Sequence, residues 1–150
     1  MATFISHSPA DTQSLGERWG RAAPSGLVLA VSGELGAGKT QLVKGLARGL
    51  GITERVHSPT FTLVNEYGGG RLKLFHLDLY RLETADQIHG AGLDEYLQPD
   101  GVAVIEWAER WPEARSLKSE ARGLGALLRE VRIEVLGETE RRISYEDSGA

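Results

Sequence analysis

Apolar residues recur along this chain with two different periods, and the switches between them mark out its elements. Leu27-Val28-Leu29-Ala30-Val31 is unbroken, as in a strand buried on both faces. Apolar positions at Leu42, Val43, Leu46 and Leu50 then keep to one helical face, and Gly51 stands where such a helix should end. Upstream, Met1 to Ile5 predicts a short edge strand. Ser8-Pro9-Ala10-Asp11 predicts a capping box with proline in the first turn, opening a helix with Leu15 and Trp19 on one face. Downstream, residues 61–67 and 72–80 predict an antiparallel hairpin joined by the four residues 68–71. Thr84 to Gln87 is a second capping box, for a short helix ending near Gly90 or Gly92. Gln98-Pro99-Asp100-Gly101 is a turn, and Val102-Ala103-Val104-Ile105 is a second buried strand that ends in Glu106. Between Ala108 and Arg129 the pattern weakens into loop and helix. Val131, Ile133 and Val135 then alternate with Arg132 and Glu134, and a turn at Gly137 leads into a strand from Arg141 to Tyr145. The last four or five residues should fray.

The sum is an α/β fold: three layers around a mixed sheet with a parallel core and antiparallel edge hairpins. At 150 residues the chain reads as one domain with a single core. It contains no cysteine, which excludes disulfides, thiolate metal sites and cysteine nucleophiles. Its four histidines are scattered, with no two at the helical i, i+4 spacing of a metal site. No apolar run approaches a membrane span, and the start lacks a signal pattern, so the cytoplasm is the expected compartment, with no membrane partner. A net charge of −4 argues against a chain that grips nucleic acid alone. Arg141-Arg142 reads as a solvated strand face, with a contribution to a shared site as the alternative.

The stretch between the first buried strand and its helix carries the chemistry. Gly33-Glu34-Leu35-Gly36-Ala37-Gly38-Lys39-Thr40 is a complete G-x-x-x-x-G-K-S/T phosphate-binding loop in a strand–loop–helix setting. The glycines let the backbone wrap an anion and turn its amides inward. Lys39 brings a point charge for the β- and γ-phosphates, and the Thr40 hydroxyl is a hard oxygen for Mg²⁺. Such a loop needs an acidic partner for its metal at the end of a neighbouring strand. Glu106 and Asp78 are the candidates, the former against the bland reading of a solvated strand end. The spacing in Leu74-Phe75-His76-Leu77-Asp78 puts His76 on Asp78's strand face, as a packed or hydrogen-bonded histidine before a general base. Ser58-Pro59-Thr60-Phe61 is either a switch-like segment over a γ-phosphate or a rigid turn into a strand. Trp107 and Trp111 fit a partner surface or, more ordinarily, the core. No N-K-x-D and no D-x-x-G occurs, which disfavours a small GTPase.

In order along the chain, these pieces resemble the TsaE (YjeE) family of bacterial ATPases required for threonylcarbamoyladenosine modification of tRNA. The resemblance rests on the loop at residues 33–40, the segment Ser58-Pro59-Thr60-Phe61-Thr62-Leu63-Val64-Asn65-Glu66-Tyr67, and His76-Leu77-Asp78-Leu79-Tyr80-Arg81-Leu82. Gly92-Leu93-Asp94-Glu95 and Ile105-Glu106-Trp107 complete it. It implies ATP and Mg²⁺ as cofactors, with Gly36 to Lys39 on the phosphates and Thr40 and Glu106 on the metal. Asp78 becomes a residue needed for hydrolysis or its coupling, Thr60 part of a switch-like loop, and Thr12 a residue that touches the nucleotide. TsaB and TsaD are the implied partners, with TsaD performing the transfer and tRNA met only through the complex. Two departures stand out: Glu34 replaces the family's usual Asp, and residues 108–129 look expanded. The rival readings are a small-molecule kinase, with Arg110, Arg115 and Arg122 as a lid, and a module that senses ATP without hydrolysing it.

Overall fold

Unbroken apolar strands need cover on both faces, and β2 (Leu27–Gly33) obtains it as the centre of a seven-stranded sheet. The computed structural model describes residues 2–34, 36–59, 62–115 and 127–148. In it β2 pairs in parallel with β5 (Val102–Glu106) on one side and β6 (Leu127–Val135) on the other. β5 in turn pairs in parallel with β4 (Leu74–Asp78), and β3 (Val64–Tyr67) closes that edge antiparallel to β4. On the other side β7 (Arg141–Ser148) runs antiparallel to β6, and β1 (Ala2–Ser6) forms the far edge. The parallel core with antiparallel edges is therefore the one the sequence predicts, in the order β1-β7-β6-β2-β5-β4-β3.

Alternate residues of each strand feed two apolar layers. Leu27, Leu29, Val31, Val102, Val104 and Ile133 pack beneath α1 (Pro9–Ala22) and α2 (Lys39–Gly49). Val28, Ala30, Leu77, Ala103 and Ile105 pack on the other face against α3 (Ala85–Gly90) and short 3₁₀ turns at Asp94–Leu97, Ala108–Arg110 and Pro112–Arg115. The second capping box forms as predicted, Thr84 and Gln87 capping each other reciprocally. The first forms by half: Ser8 accepts from the Asp11 amide, but the short Asp11 carboxylate takes the His7 amide in place of that of Ser8.

The contact of α1 with α2 is unusually close. A Cβ added to Gly45 would lie 1.9 Å from the Gln13 carbonyl oxygen, and one on Gly49 would lie 2.1 Å from that of Glu17. Facing them, Gly16 and Gly20 would meet the Leu42 and Leu46 carbonyls at 2.3 and 2.4 Å. Four glycines at i, i+4 spacing, two per helix, thus let backbone lie on backbone.

Several boundaries differ from the pattern-based expectations. The connection between β3 and β4 spans residues 68–73, not 68–71, because Arg71 is drawn out of the hairpin. Its guanidinium donates to the Gly20 and Ala23 carbonyls at 2.7 and 2.9 Å, capping the C-terminal end of α1. β6 begins at Leu127, four residues before the alternation is visible, since pairing with β2 along its whole length extends it. β7 runs to Ser148, so residues 146–148 pair with β6 and are not frayed. Within 108–115 the chain forms 3₁₀ turns, and residues 116–126, Arg122 among them, lie outside the described residues.

Candidate functional site

The C-terminal ends of parallel strands leave room for a ligand beyond the sheet, and here the ends of β4 and β5 and the loop that follows β2 line one cavity of about 560 Å³. The chain leaves β2 at Gly33 and enters α2 at Lys39, with Gly36 and Gly38 at φ of 81° and 94°. Only glycine adopts that left-handed backbone at low cost, so Gly38 of the motif and Gly36 at one of its variable positions are both demanded by the turn itself. Gly38 is the N-cap of α2 and offers no side-chain cap, leaving the first amides of the helix without intrahelical partners. Gly36, Ala37, Gly38, Lys39 and Thr40 all line the cavity. Gly33 and Glu34 contribute through their carbonyls, which accept from Lys39 Nζ at 2.6 and 2.9 Å. The ammonium also lies 4.0 Å from the Trp107 ring centroid. Burial pushes Lys39 below the usual lysine range, against the pull of the Glu106, Glu109, Asp78 and Glu34 carboxylates. Leu35 lies outside the described residues.

The carboxylates arrive by strand register. Asp78 ends β4 opposite Glu106, which ends β5, so the two stand side by side on the strand face that α2 covers. Glu106 is buried and lies 3.4 Å from the Thr40 hydroxyl. Asp78 is buried too, accepting from Ser58 Oγ at 3.2 Å and from the Tyr80 amide at 2.9 Å. His76, wholly buried one turn of pleat behind Asp78, hydrogen-bonds through Nε2 to Glu106 Oε2, while its Nδ1 has no partner among the described residues. It is a packed, hydrogen-bonded histidine, with its ring fixing the orientation of Glu106.

Thr12 reaches the same cavity from the first turn of α1, its hydroxyl sharing a 2.7 Å hydrogen bond with Ser6. Thr60 lies outside the described residues. Trp111 is a core residue with no exposure, whereas Trp107 borders the cavity in a left-handed conformation, φ 61°, with its ring between Lys39 and Arg110. Arg110 is not open to act as a lid. Its guanidinium donates to the Leu79, Tyr80 and Leu82 carbonyls, and Arg115 lies 3.9 Å from Glu130.

One residue overturns its sequence reading. Arg141 is not on a solvated strand face: it leans across the cavity edge and donates to the Gly36 and Ala37 carbonyls of the loop at 3.2 and 3.1 Å. Arg142, one residue on, points to the opposite side of β7 and pairs with Glu134 at 3.7 Å, as a solvated strand face should. Sequence separation hid the first contact, because the partners lie over a hundred positions apart. Glu138 and Thr139, from the same turn, also line the cavity and carried no motif.

The donor set suits a hard divalent ion. A hydroxyl and a carboxylate oxygen face each other at Thr40 and Glu106, with the phosphate loop beside them, which is the sparse set that leaves most of an Mg²⁺ shell to water and phosphate oxygens. Among the described residues no group of three or more His, Asp or Glu side chains could cage a metal unaided. Nor is any described helix long and apolar enough to cross a membrane.

A parallel-cored sheet between helical layers, with a phosphate loop leading from its central strand into a helix, defines the class: a P-loop NTPase-like α/β protein. Comparison with known sequences narrows this. Residues 6–143 match the model of the threonylcarbamoyl adenosine biosynthesis protein TsaE, and the chain belongs to that family. It is 46% identical over 112 residues to the tRNA threonylcarbamoyladenosine biosynthesis protein TsaE of Bacillus subtilis, an alignment covering 72% of this chain and 70% of that one. The corresponding protein of Treponema pallidum is 48% identical over 106 residues, covering 71% and 78%. The crystal structure of Bacillus subtilis YdiB superposes with a TM-score of 0.73 at 34% identity, over 99% of this chain and 86% of the other.

Proposed function

We propose that this protein is the ATP-binding and hydrolysing component of tRNA threonylcarbamoyladenosine biosynthesis. In this reading it serves the modification of adenosine 37 in tRNAs that read codons beginning with A. It acts through a TsaB–TsaD complex in the cytoplasm and is not itself the transferase. Membership of the TsaE family supports the pathway. The observation that carries the ATPase reading is the convergence of the phosphate loop, Thr40, Glu106 and Asp78 on one cavity.

Each residue then has a task. The loop amides and Lys39 hold the β- and γ-phosphates, exchanging the Gly33 and Glu34 carbonyls on Lys39 for phosphate oxygens. Thr40 and Glu106 hold Mg²⁺, whose chemistry is to neutralise phosphate charge as a Lewis acid. His76 keeps the Glu106 carboxylate aimed at Thr40. Asp78, held by Ser58 and the Tyr80 amide, stands across from Glu106 to orient the attacking water. Hydrolysis of this kind rests on positioning and charge neutralisation. The arginines nearest the site are engaged with backbone carbonyls, so turnover alone is slow and partners stimulate it.

The test is phosphate release from ATP with Mg²⁺, by the protein alone and with a TsaB–TsaD pair added. Strong stimulation that disappears in Lys39→Ala supports the reading. Fast hydrolysis without partners, or unchanged ATP affinity in Lys39→Ala, refutes it.

A further inference from the structure

The Arg141 guanidinium joins the C-terminal hairpin to the middle of the phosphate loop. Nε donates to the Ala37 carbonyl at 3.1 Å and Nη2 to the Gly36 carbonyl at 3.2 Å. On its other side Nη1 donates to the Gly137 and Glu140 carbonyls at 2.8 and 2.9 Å, gathering the β6–β7 turn around the same side chain. A planar fork of five N–H donors suits such bridging, and a single ammonium does not. We propose that Arg141 is a positioning residue that presets the phosphate loop for an incoming polyphosphate by holding its carbonyls away from the cavity.

The physical reason lies in peptide geometry. In a trans peptide the carbonyl and the following amide point in opposite directions. With the Ala37 carbonyl fixed on Arg141, the Gly38 amide turns the other way, at a residue that lines the cavity and caps α2. Gly36 and Gly38 have the freest backbones in the loop, so without an anchor the peptides between them sample flipped states that aim a carbonyl oxygen at an anion. Elsewhere the described loop is tied by the Ala37 amide on the Glu34 carbonyl at 3.1 Å, by the Gln41 and Leu42 amides on the Gly38 carbonyl, and by Lys39 Nζ on the Gly33 and Glu34 carbonyls; none of these bonds holds the Gly36 or Ala37 carbonyl, which fall to Arg141. The anchor is itself fixed at the start of β7, where Arg141 pairs with Ser6 of β1 and Val135 of β6. The loop is thus preorganised by a strand a hundred residues away, which saves binding energy that ordering would consume.

This inference deepens the ATP reading and rests on it for the affinity arm of its test, while a ligand-free arm stands alone. In nucleotide-free protein, Arg141→Ala should raise amide hydrogen exchange within residues 33–40 by about tenfold, the equivalent of one lost charge-assisted hydrogen bond. Arg142→Ala, on the opposite side of the strand, should leave it unchanged. With ATP and Mg²⁺, Arg141→Ala should weaken ATP and ADP binding alike by roughly tenfold or more. Arg141→Lys should recover little of that, and added guanidinium ion should restore part of it in the alanine variant. Unchanged exchange at residues 33–40 in Arg141→Ala overturns the positioning role, and so does full recovery of affinity by Arg141→Lys, which would make the residue a simple charge. A wild-type protein that binds no nucleotide refutes the ATP reading instead, leaving the exchange arm to decide the role of Arg141.

Discussion

The two faces of the sheet are sealed by opposite means. On one, α1 and α2 meet through Gly16, Gly20, Gly45 and Gly49, where the absence of side chains lets two long helices lie almost in contact. On the other no long helix is present among the described residues, and α3 with three 3₁₀ turns covers the strands by bulk, with Trp111, Leu97, Ile88 and Leu79 each fully buried. The first face carries the phosphate loop at the start of α2 and receives Asp78, His76 and Glu106 from the strands. The second supplies the backbone ties, such as Arg110 on the Tyr80 carbonyl, that hold the strand ends in place. A close helical contact fixes where a helix begins, and therefore where its first amides point. Bulky fillers fix only that a face is dry.

The contrast predicts opposite sensitivities. Trp111→Ala removes the largest filler and should cost about 3–5 kcal/mol in denaturant unfolding, as large-to-small core changes do. A loss below about 1 kcal/mol would show that the second face is plastic enough to close the void. Gly45→Ala works the other way. Helix propensity alone would favour alanine by nearly 1 kcal/mol, yet the new methyl meets the Gln13 carbonyl, so a net loss of about 1–3 kcal/mol is expected from the same measurement. A stabilised Gly45→Ala would break the close-contact description of the first face.

Substitutions at the strand ends should spare the fold more than the chemistry. Glu106→Gln should move the midpoint of an Mg²⁺ titration of ATP binding up by about tenfold or more; an unchanged midpoint removes Glu106 from the metal. Asp78→Asn should lower phosphate release by about tenfold or more while leaving ATP affinity nearly intact, and an equal loss in both would make it a binding residue. The smallest effect is at the sheet edge, where Arg129 hydrogen-bonds Asp147 at 2.5 and 2.9 Å. That bond, with the Arg129 charge, holds the Asp147 carboxyl below the usual range against its partial burial. The stability it adds is present above the ordinary carboxyl pKa and is lost as the pH falls through the depressed one. Asp147→Asn should therefore cost a few tenths of a kcal/mol at neutral pH, and the difference from wild type should vanish in acid.

Much of this fold was legible in order along the chain. The β2 run, the α2 periodicity, the Ser8 cap, the Thr84–Gln87 capping box and the alternation around Val131 rely on neighbours within one or two turns, where local geometry decides the outcome. The phosphate loop was equally plain, because its glycines and its lysine and threonine stand together in eight consecutive residues. The same local reading placed Asp78 and His76 on one strand face. It ran short wherever a distant backbone set the boundary, as when Arg71 left the hairpin for the end of α1, or when β2 drew β6 out to Leu127. The paired glycines of α1 and α2 were visible as a spacing but not as a contact, since nothing within either helix says what it will face.

What the sequence alone determined, then, is the strand–loop–helix with Lys39 and Thr40, and the order of strands and helices around it. Only the tertiary structure decided that Glu106 would meet Thr40 and His76, that Asp78 would stand beside it, and that Arg141 would hold the loop. The physical reason is range. Backbone torsions and capping act within a few residues, whereas these contacts join positions between 28 and 105 residues apart, brought together only when the strands come into register.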